Sequence, residues 1–291
     1  MKHRRIGEVH FIAQNSSSIS ECLLKHFRVD PLASQTLFAL GALYCNKIRV
    51  VADRPLVKGD HLQAFLKPKR YPVGDIVWND IICHEDEEFL VINKPHGIPV
   101  HSTDDNLIEN ILFQLRKKLD KDLWVTHRLD TTVSGLMVLA KTKHFQSEFN
   151  RLLSDRKVSK TYAALVEKEL TPGLLLHYMA PGETFPKKMS GTFQEGWLEC
   201  SLEISKVEFW KQEGEKKFWE LEIQLHTGRT HQIRAQLAQE KSPILGDKMY
   251  RGRNRAGFTT RHLALHASRL EWKDSLGSRR FTAPPAFKSE I

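Results

Sequence analysis

The stretch His127 to Lys141, HRLDTTVSGLMVLAK, decides how the rest of the chain is read. An aspartate, Asp130, directly follows His-Arg-Leu. Small residues come next, among them Thr131, Thr132, Ser134 and Gly135, and an apolar run to Ala140 follows. The polar part predicts a turn and the apolar part a short buried strand. Asp130 then stands at a strand edge. An isolated aspartate there is usually a turn former whose carboxylate accepts backbone N–H bonds, and these residues alone favour that reading.

Outward from this stretch the chain alternates. Phe89-Leu90-Val91-Ile92 is a short buried strand running into Asn93-Lys94-Pro95, and Thr161 to Val166 is another. Leu198, Cys200, Leu202 and Ile204 alternate with polar residues, as do Trp219, Leu221, Ile223 and Leu225. Gln212 to Glu215 reads as the hairpin turn between them. Leu263, Leu265 and Ala267 alternate again. Residues 143–154 place Phe145, Phe149, Leu152 and Leu153 on one helical face, and His231 to Gln239 reads as a helix. Helices interrupt without a regular βαβ rhythm. The expected fold class is α+β, with a mixed, mainly antiparallel central sheet over residues 76–291. Neither GxGxxG nor GxxxxGK[ST] occurs, so a nucleotide cofactor has no support.

Residues 1–75 read as a separate small α+β domain. Ile19, Leu23, Leu24 and Phe27 lie on one face of a helix over 19–27. Asp30-Pro31 opens a second helix that ends near Gly41. Short strands follow at Ile48–Val51 and His61–Leu66, and LKPKRYPVGD (66–75) reads as a linker.

Composition sets the class. The chain has 291 residues, 41% of them hydrophobic, enough for a substantial core. No apolar run approaches the roughly 20 residues that cross a bilayer, and MKHRRIGEVHF leads into no signal-peptide core. Glu8 argues mildly against an organelle transit peptide, a possibility that stays open. Four cysteines without a CxxC pair predict neither structural disulfides nor a zinc site. The expectation is a soluble, cytoplasmic protein; the sequence leaves the oligomeric state open, with a monomer favoured. The net charge of +9 is uneven: residues 1–75 hold 12 Lys+Arg against 6 Asp+Glu. A polyanionic partner and a solvated basic surface explain that excess about equally well.

Two further clusters change the odds on Asp130. In HTGRTHQIRAQLA (226–238), Thr230 is a candidate N-cap, and His231 and Arg234 fall one helical turn apart. With Arg229 they gather cations at a helix N-terminus, suited to a phosphate or a buried carboxylate; a surface salt-bridge patch is the alternative. The second cluster, Lys94 to His101, is a loop stiffened by two prolines. His96 and His101 share it, but no carboxylate or thiol completes a ligand set, so no metal is expected.

Together these motifs resemble the RluA-type RNA pseudouridine synthases. The resembling segments are Asn93–His101, His127–Lys141, Lys160–Val166, Thr227–Ala238, Pro243–Gly252 and Arg261–Ala267. The N-terminal part resembles an S4-type RNA-binding domain through Gly41 to Lys47 and Val57 to Asp60. Departures are Lys47 and Val133, for Gly and Thr in the families, Gln236 for His, and Arg251 inserted before Gly252.

The resemblance implies isomerisation of uridine to pseudouridine within a structured RNA, tRNA or rRNA, without a cofactor. It implies Asp130 as the catalytic carboxylate, with Tyr162 stacking on the extruded uracil and Arg234 pairing with Asp130 to keep it ionised. Arg128 would fill the space the base vacates. His127, Lys94, Arg229 and Lys141 would bind RNA or support the pocket. By spacing alone Tyr162 reads as a core residue. Two other classes stand beside this one: a non-catalytic S4-type RNA-binding or ribosome-assembly protein on a degenerate scaffold, and a glycosidase, which would need a second acidic partner.

Overall fold

The computed structural model describes residues 7–251, 262–274, 277–285 and 287. The chain forms two compact units. One comprises Met1–Ile76 and Ile98–Asp120, the other Val77–Gly97 and Lys121–Ile291. Residues 98–120 thus group with the N-terminal residues and not with the chain on either side of them. Gly252 and Arg261, two motif positions, lie outside the described residues.

The first unit contains β1 (Glu8–Ile12), β2 (Ser17–Ser18), α1 (Ile19–Phe27), α2 (Pro31–Leu40), β3 (Leu43–Cys45), β4 (Ile48–Val50), β5 (Pro55–Leu56), β6 (His61–Phe65) and α3 (Ile111–Leu119). Its sheet runs β1-β6-β3-β4, all antiparallel. Local chemistry sets the helix ends. Ser18 and Glu21 form a capping box on α1. Asp30 accepts from the Ala33 N–H with Pro31 in the first turn, and Gly41 ends α2 at φ 63°. Ile19 and Leu23 are buried, but Leu24 is exposed, against the face expected for it. Adjacent helical residues point about 100° apart, and the small core takes only one of them.

The turn between β3 and β4 holds Asn46 and Lys47 at φ 52° and 67°. Lys47 therefore adopts the left-handed conformation that glycine enters freely. The Asn46 side chain donates to Asp60 and accepts from the His61 N–H, which offsets part of that cost. The expected linker is fastened instead. The Lys69 N–H donates to Asp105, while the Tyr71 N–H and the Arg70 guanidinium donate to Glu109. The Leu107 N–H donates to the Leu40 carbonyl. These bonds are why 98–120 belongs to this unit.

The second unit contains β7 (Ile82–Glu85), β8 (Phe89–Lys94), β9 (Trp124–Val125), β10 (Ser134–Ala140), α4 (Lys143–Ser154), β11 (Ser159–Val166), β12 (Gly173–Met179), β13 (Met189–Ser190), β14 (Leu198–Glu213), β15 (Lys216–Leu225), α5 (Gln232–Gln239), β16 (Leu265–Asp274) and β17 (Gly277–Thr282). Among the described residues they build one 11-stranded mixed sheet. Its order is β13-β12-β14-β15-β11-β16-β10-β8-β7, with β17 on β16 and β9 on β10. Only β10 with β16 is parallel among the described pairs. Phe145 and Phe149 of α4 cover one face, against Phe89, Val91, Leu136, Val138, Ala140, Leu270 and Trp272. Of the six tryptophans, Trp272 alone is buried. No helix of the described residues is long and apolar enough to cross a membrane.

Candidate active site

Strand register builds the floor of the site. Gly135 of β10 pairs with Lys94 of β8 on one side and Ala267 of β16 on the other, and Ala267 pairs with Tyr162 of β11. Lys94, Gly135, Ala267 and Tyr162 therefore form one cross-strand row. Two large polar side chains flank two positions with almost no side chain. Three strand spacings separate the flanking backbones, roughly 14 Å. Gly135 is required here. Its φ is +114°, and a Cβ would meet the Ala267 N and O at 2.4 Å.

Asp130 stands at the start of the turn leading into β10. Its carbonyl accepts from the Val133 N–H. The next carbonyl, Thr131, accepts from the Gly97 N–H at 2.7 Å and from the Lys94 Nζ at 3.3 Å. The prolyl loop thus anchors the aspartate turn. Lys94 is fully buried. Burial pulls its ammonium down to about 7, against the opposing attraction of Asp130. Tyr162 is 7% exposed. Burial, then the Asp130 charge, pushes its phenol up. Its hydroxyl makes no hydrogen bond among the described residues.

Arg234, on α5, donates from Nη1 to Asp130 Oδ2 at 3.1 Å. Its stronger partner is Asp247, which accepts from Nε at 2.7 Å and from Nη2 at 3.0 Å. Burial alone would lower the guanidinium, but Asp247 and then Asp130 more than offset it and hold it above its ordinary value. Asp247 also accepts from the N–H groups of Met249 and Tyr250. Sequence reading gave Asp247 no role. The available signal was its context: a carboxylate after the apolar Pro243-Ile244-Leu245-Gly246 needs a cation if it is buried.

His231 is a second neighbour, its Nε2 3.6 Å from Asp130 Oδ2. It occupies the N-cap of α5 at φ 60° without a side-chain cap bond. Thr230, the expected cap, is exposed. The Gln232 side chain turns back instead and accepts from the Arg229 N–H and the Thr227 hydroxyl. Burial lowers the His231 imidazole, with Asp130 opposing. The Tyr250 hydroxyl accepts from the Lys187 N–H at 2.9 Å and lies 3.4 Å from His231 Nδ1. Which of the two donates in that contact follows from the tautomer of the His231 ring.

The remaining expected site residues are dispersed. Arg128 is exposed, with no side-chain partner among the described residues. His127 turns inward: its Nε2 accepts from the Val138 N–H and its ring stacks on Phe149. Burial, then Lys160, lowers it to about 3, so it is a neutral, half-buried ring packed against the core. Lys141 lies at the opposite end of β10 from Asp130, pairing with Glu85 at 2.9 Å. Arg229 is exposed. Gln236, a departure from the family pattern, is fully buried and donates to the carbonyls of Leu175 and Cys200, pinning α5 to β12 and β14. No group of three or more His, Cys, Asp or Glu among the described residues is placed to hold a metal.

A sheet of this type, with an Asp-Arg pair near Lys94 and Tyr162, defines a class, and comparison with known proteins agrees. The model of the RNA pseudouridylate synthase family matches residues 88–239. RNA pseudouridine synthase 6, chloroplastic, of Oryza sativa subsp. japonica is 33% identical over 219 residues, covering 68% of this chain and 46% of the relative. The chain thus spans about half the length of that relative. Ribosomal large subunit pseudouridine synthase D of Buchnera aphidicola is 29% identical over 261 residues, covering 82% and 80%. Among solved structures, human RNA pseudouridylate synthase domain containing 4 superposes with a TM-score of 0.59 at 24% identity, over 73% of this chain and 92% of that one. The chain belongs to the RNA pseudouridylate synthase family, and its motifs are those of the RluA type.

Proposed function

We propose that the protein isomerises uridine to pseudouridine within a structured RNA, and that Asp130 is the group that reacts. The observation that carries this reading is the partly open Asp130 carboxylate, bonded to Arg234 at 3.1 Å and near enough to Lys94 and Tyr162 for its charge to act on both. The Tyr162 ring near this carboxylate suits a flat base at the site. A uridine must leave its stack to enter it, at a cost of a few kcal/mol that contacts to the extruded nucleotide offset. The exposed Arg128 guanidinium suits the vacated space, because it is flat and can stack. Tyr162, ring enclosed and hydroxyl unengaged, can stack on the base and bond to it.

The reaction breaks the C1′–N1 bond and joins C5 of the same base to C1′. The C5 proton leaves and N1 gains one, so nothing is consumed. Asp130 serves as nucleophile or base, Arg234 holds it, and His231 lies beside it at 3.6 Å. The first unit serves in this reading as an S4-like RNA-binding domain, supported by its excess of basic residues. Ribosomal RNA or tRNA is the substrate class. The location taken is the cytoplasm, with a plastid as the alternative that the plant relative's name raises.

The test uses RNA labelled with tritium at uridine C5, taken from a host strain lacking the gene. Isomerisation releases the label to water. Wild type should release it and Asp130→Asn should not. Wild type without release on total cellular RNA rejects the reading.

A further inference from the structure

Phe185 stands in the loop between β12 and β13 with 49% of its surface exposed. It belongs to none of the buried apolar clusters of the described residues, and half of its surface faces solvent. Its surroundings connect it to the site. The ring centroid lies 4.7 Å from that of His231, and His231 reaches within 3.6 Å of Asp130. The loop is held in that place: the Ala180 N–H donates to the Lys188 carbonyl, and the Lys187 N–H donates to the Tyr250 hydroxyl. The Lys187 ammonium lies 4.7 Å from the Phe185 ring centroid and bonds the Gly182 carbonyl. The turn that carries Tyr250 also exposes Met249. An aromatic ring and a cation thus sit together beside His231 and Asp130, anchored but open to solvent.

We propose that Phe185 and Lys187 form a second nucleotide subsite beside the uridine pocket. The ring stacks on a base flanking the target, and the ammonium meets that nucleotide's phosphate. This rests on the synthase reading and adds to it a defined contact outside the reacting base. Extruding a uridine leaves its neighbours with an exposed face. A phenyl ring supplies a replacement surface that tolerates any base, because every base has a π face. The cation–π contact of Lys187 at an exposed site is weak. A phosphate offers the ammonium a full charge, so it leaves the ring as the base arrives. The subsite therefore selects nucleic acid by stacking and charge without reading sequence, which suits an RNA recognised through shape and unstacked bases.

The experiment compares Phe185→Ala and Phe185→Trp with wild type. Turnover is read as tritium release from the C5-labelled RNA. Binding is read on the same RNA in an Asp130→Asn background, where nothing turns over. Phe185→Ala should weaken binding about 5- to 150-fold and raise KM more than it lowers kcat. The half-exposed ring should leave the unfolding temperature essentially unchanged. Phe185→Trp should restore binding, which a purely structural role would not predict. If wild type is active but Phe185→Ala binds RNA as wild type does, or Phe185→Trp fails to restore binding, the subsite is rejected and the synthase reading stands. If wild type releases no tritium, both fall.

Discussion

The Arg234 guanidinium has two carboxylate partners and holds them unequally. It donates twice to Asp247, whose side chain is 1% exposed, and once to Asp130, which is 23% exposed. Removing one partner of a buried pair costs about 3–5 kcal/mol. Asp247→Ala should therefore lower Tm by roughly 6–20 °C along with activity. Asp130→Ala should abolish tritium release with little change in Tm, because Arg234 keeps Asp247. Equal thermal shifts in the two variants would contradict this division. Lys94 supplies a pH test. Its folded ammonium titrates near 7 and an ordinary lysine near 10.5. Between those values the unfolded chain binds a proton that the folded one does not, so stability rises with pH, and below about 7 the burial penalty is carried in full. From about pH 7 to pH 9 this should add about 2 kcal/mol to the unfolding free energy. Lys94→Met should show a correspondingly flatter profile in urea titrations. Lys160, which burial also lowers, acts in the same direction in both proteins and cancels in the difference. Parallel profiles would show that Lys94 stays charged.

At the scale of elements, the β10–β16 contact is the joint on which the site depends. It is the parallel pairing, and Gly135 lies within it. A methyl group there would overlap the Ala267 backbone, and overpacking of a core typically costs about 1–3 kcal/mol before backbone strain is counted. Gly135→Ala should reduce Tm and tritium release together. Ala267→Gly, which removes bulk from the same row, should keep the fold. A Gly135→Ala protein with native Tm would mean that the strands separate freely. The glycine was legible in the sequence as part of a turn, and its partner was not. The register of β10 on β16 joins strands that lie far apart in the chain, beyond the reach of local spacing. In the same way the stripe of α1 was legible, but which of Leu23 and Leu24 faces inward was decided by the size of the core.

For the whole molecule, the division into units bears on how the chain can be cut. Residues 98–120 carry Asp105 and Glu109, which hold the backbone at Lys69 and Tyr71. A fragment beginning at residue 77 strips those carboxylates and Leu107 of their partners. Limited proteolysis should cut such a fragment first within 98–120, while the full chain resists there. Equal resistance would show that the segment folds without the N-terminal residues. Alternation, turn residues and helix caps were enough to establish from sequence the α+β class and most element positions, and the family followed from the resemblance of its ordered motifs. Each depends on neighbours a few positions away, so spacing reveals it. Asp130 and Arg234 were identified as a pair by resemblance, but sequence gave no hint that Asp247 holds Arg234, that His127 turns into the core, or that Lys141 ends up at the far end of β10. Those facts follow from which strands lie side by side and which charges burial forces together, and only the folded chain sets either.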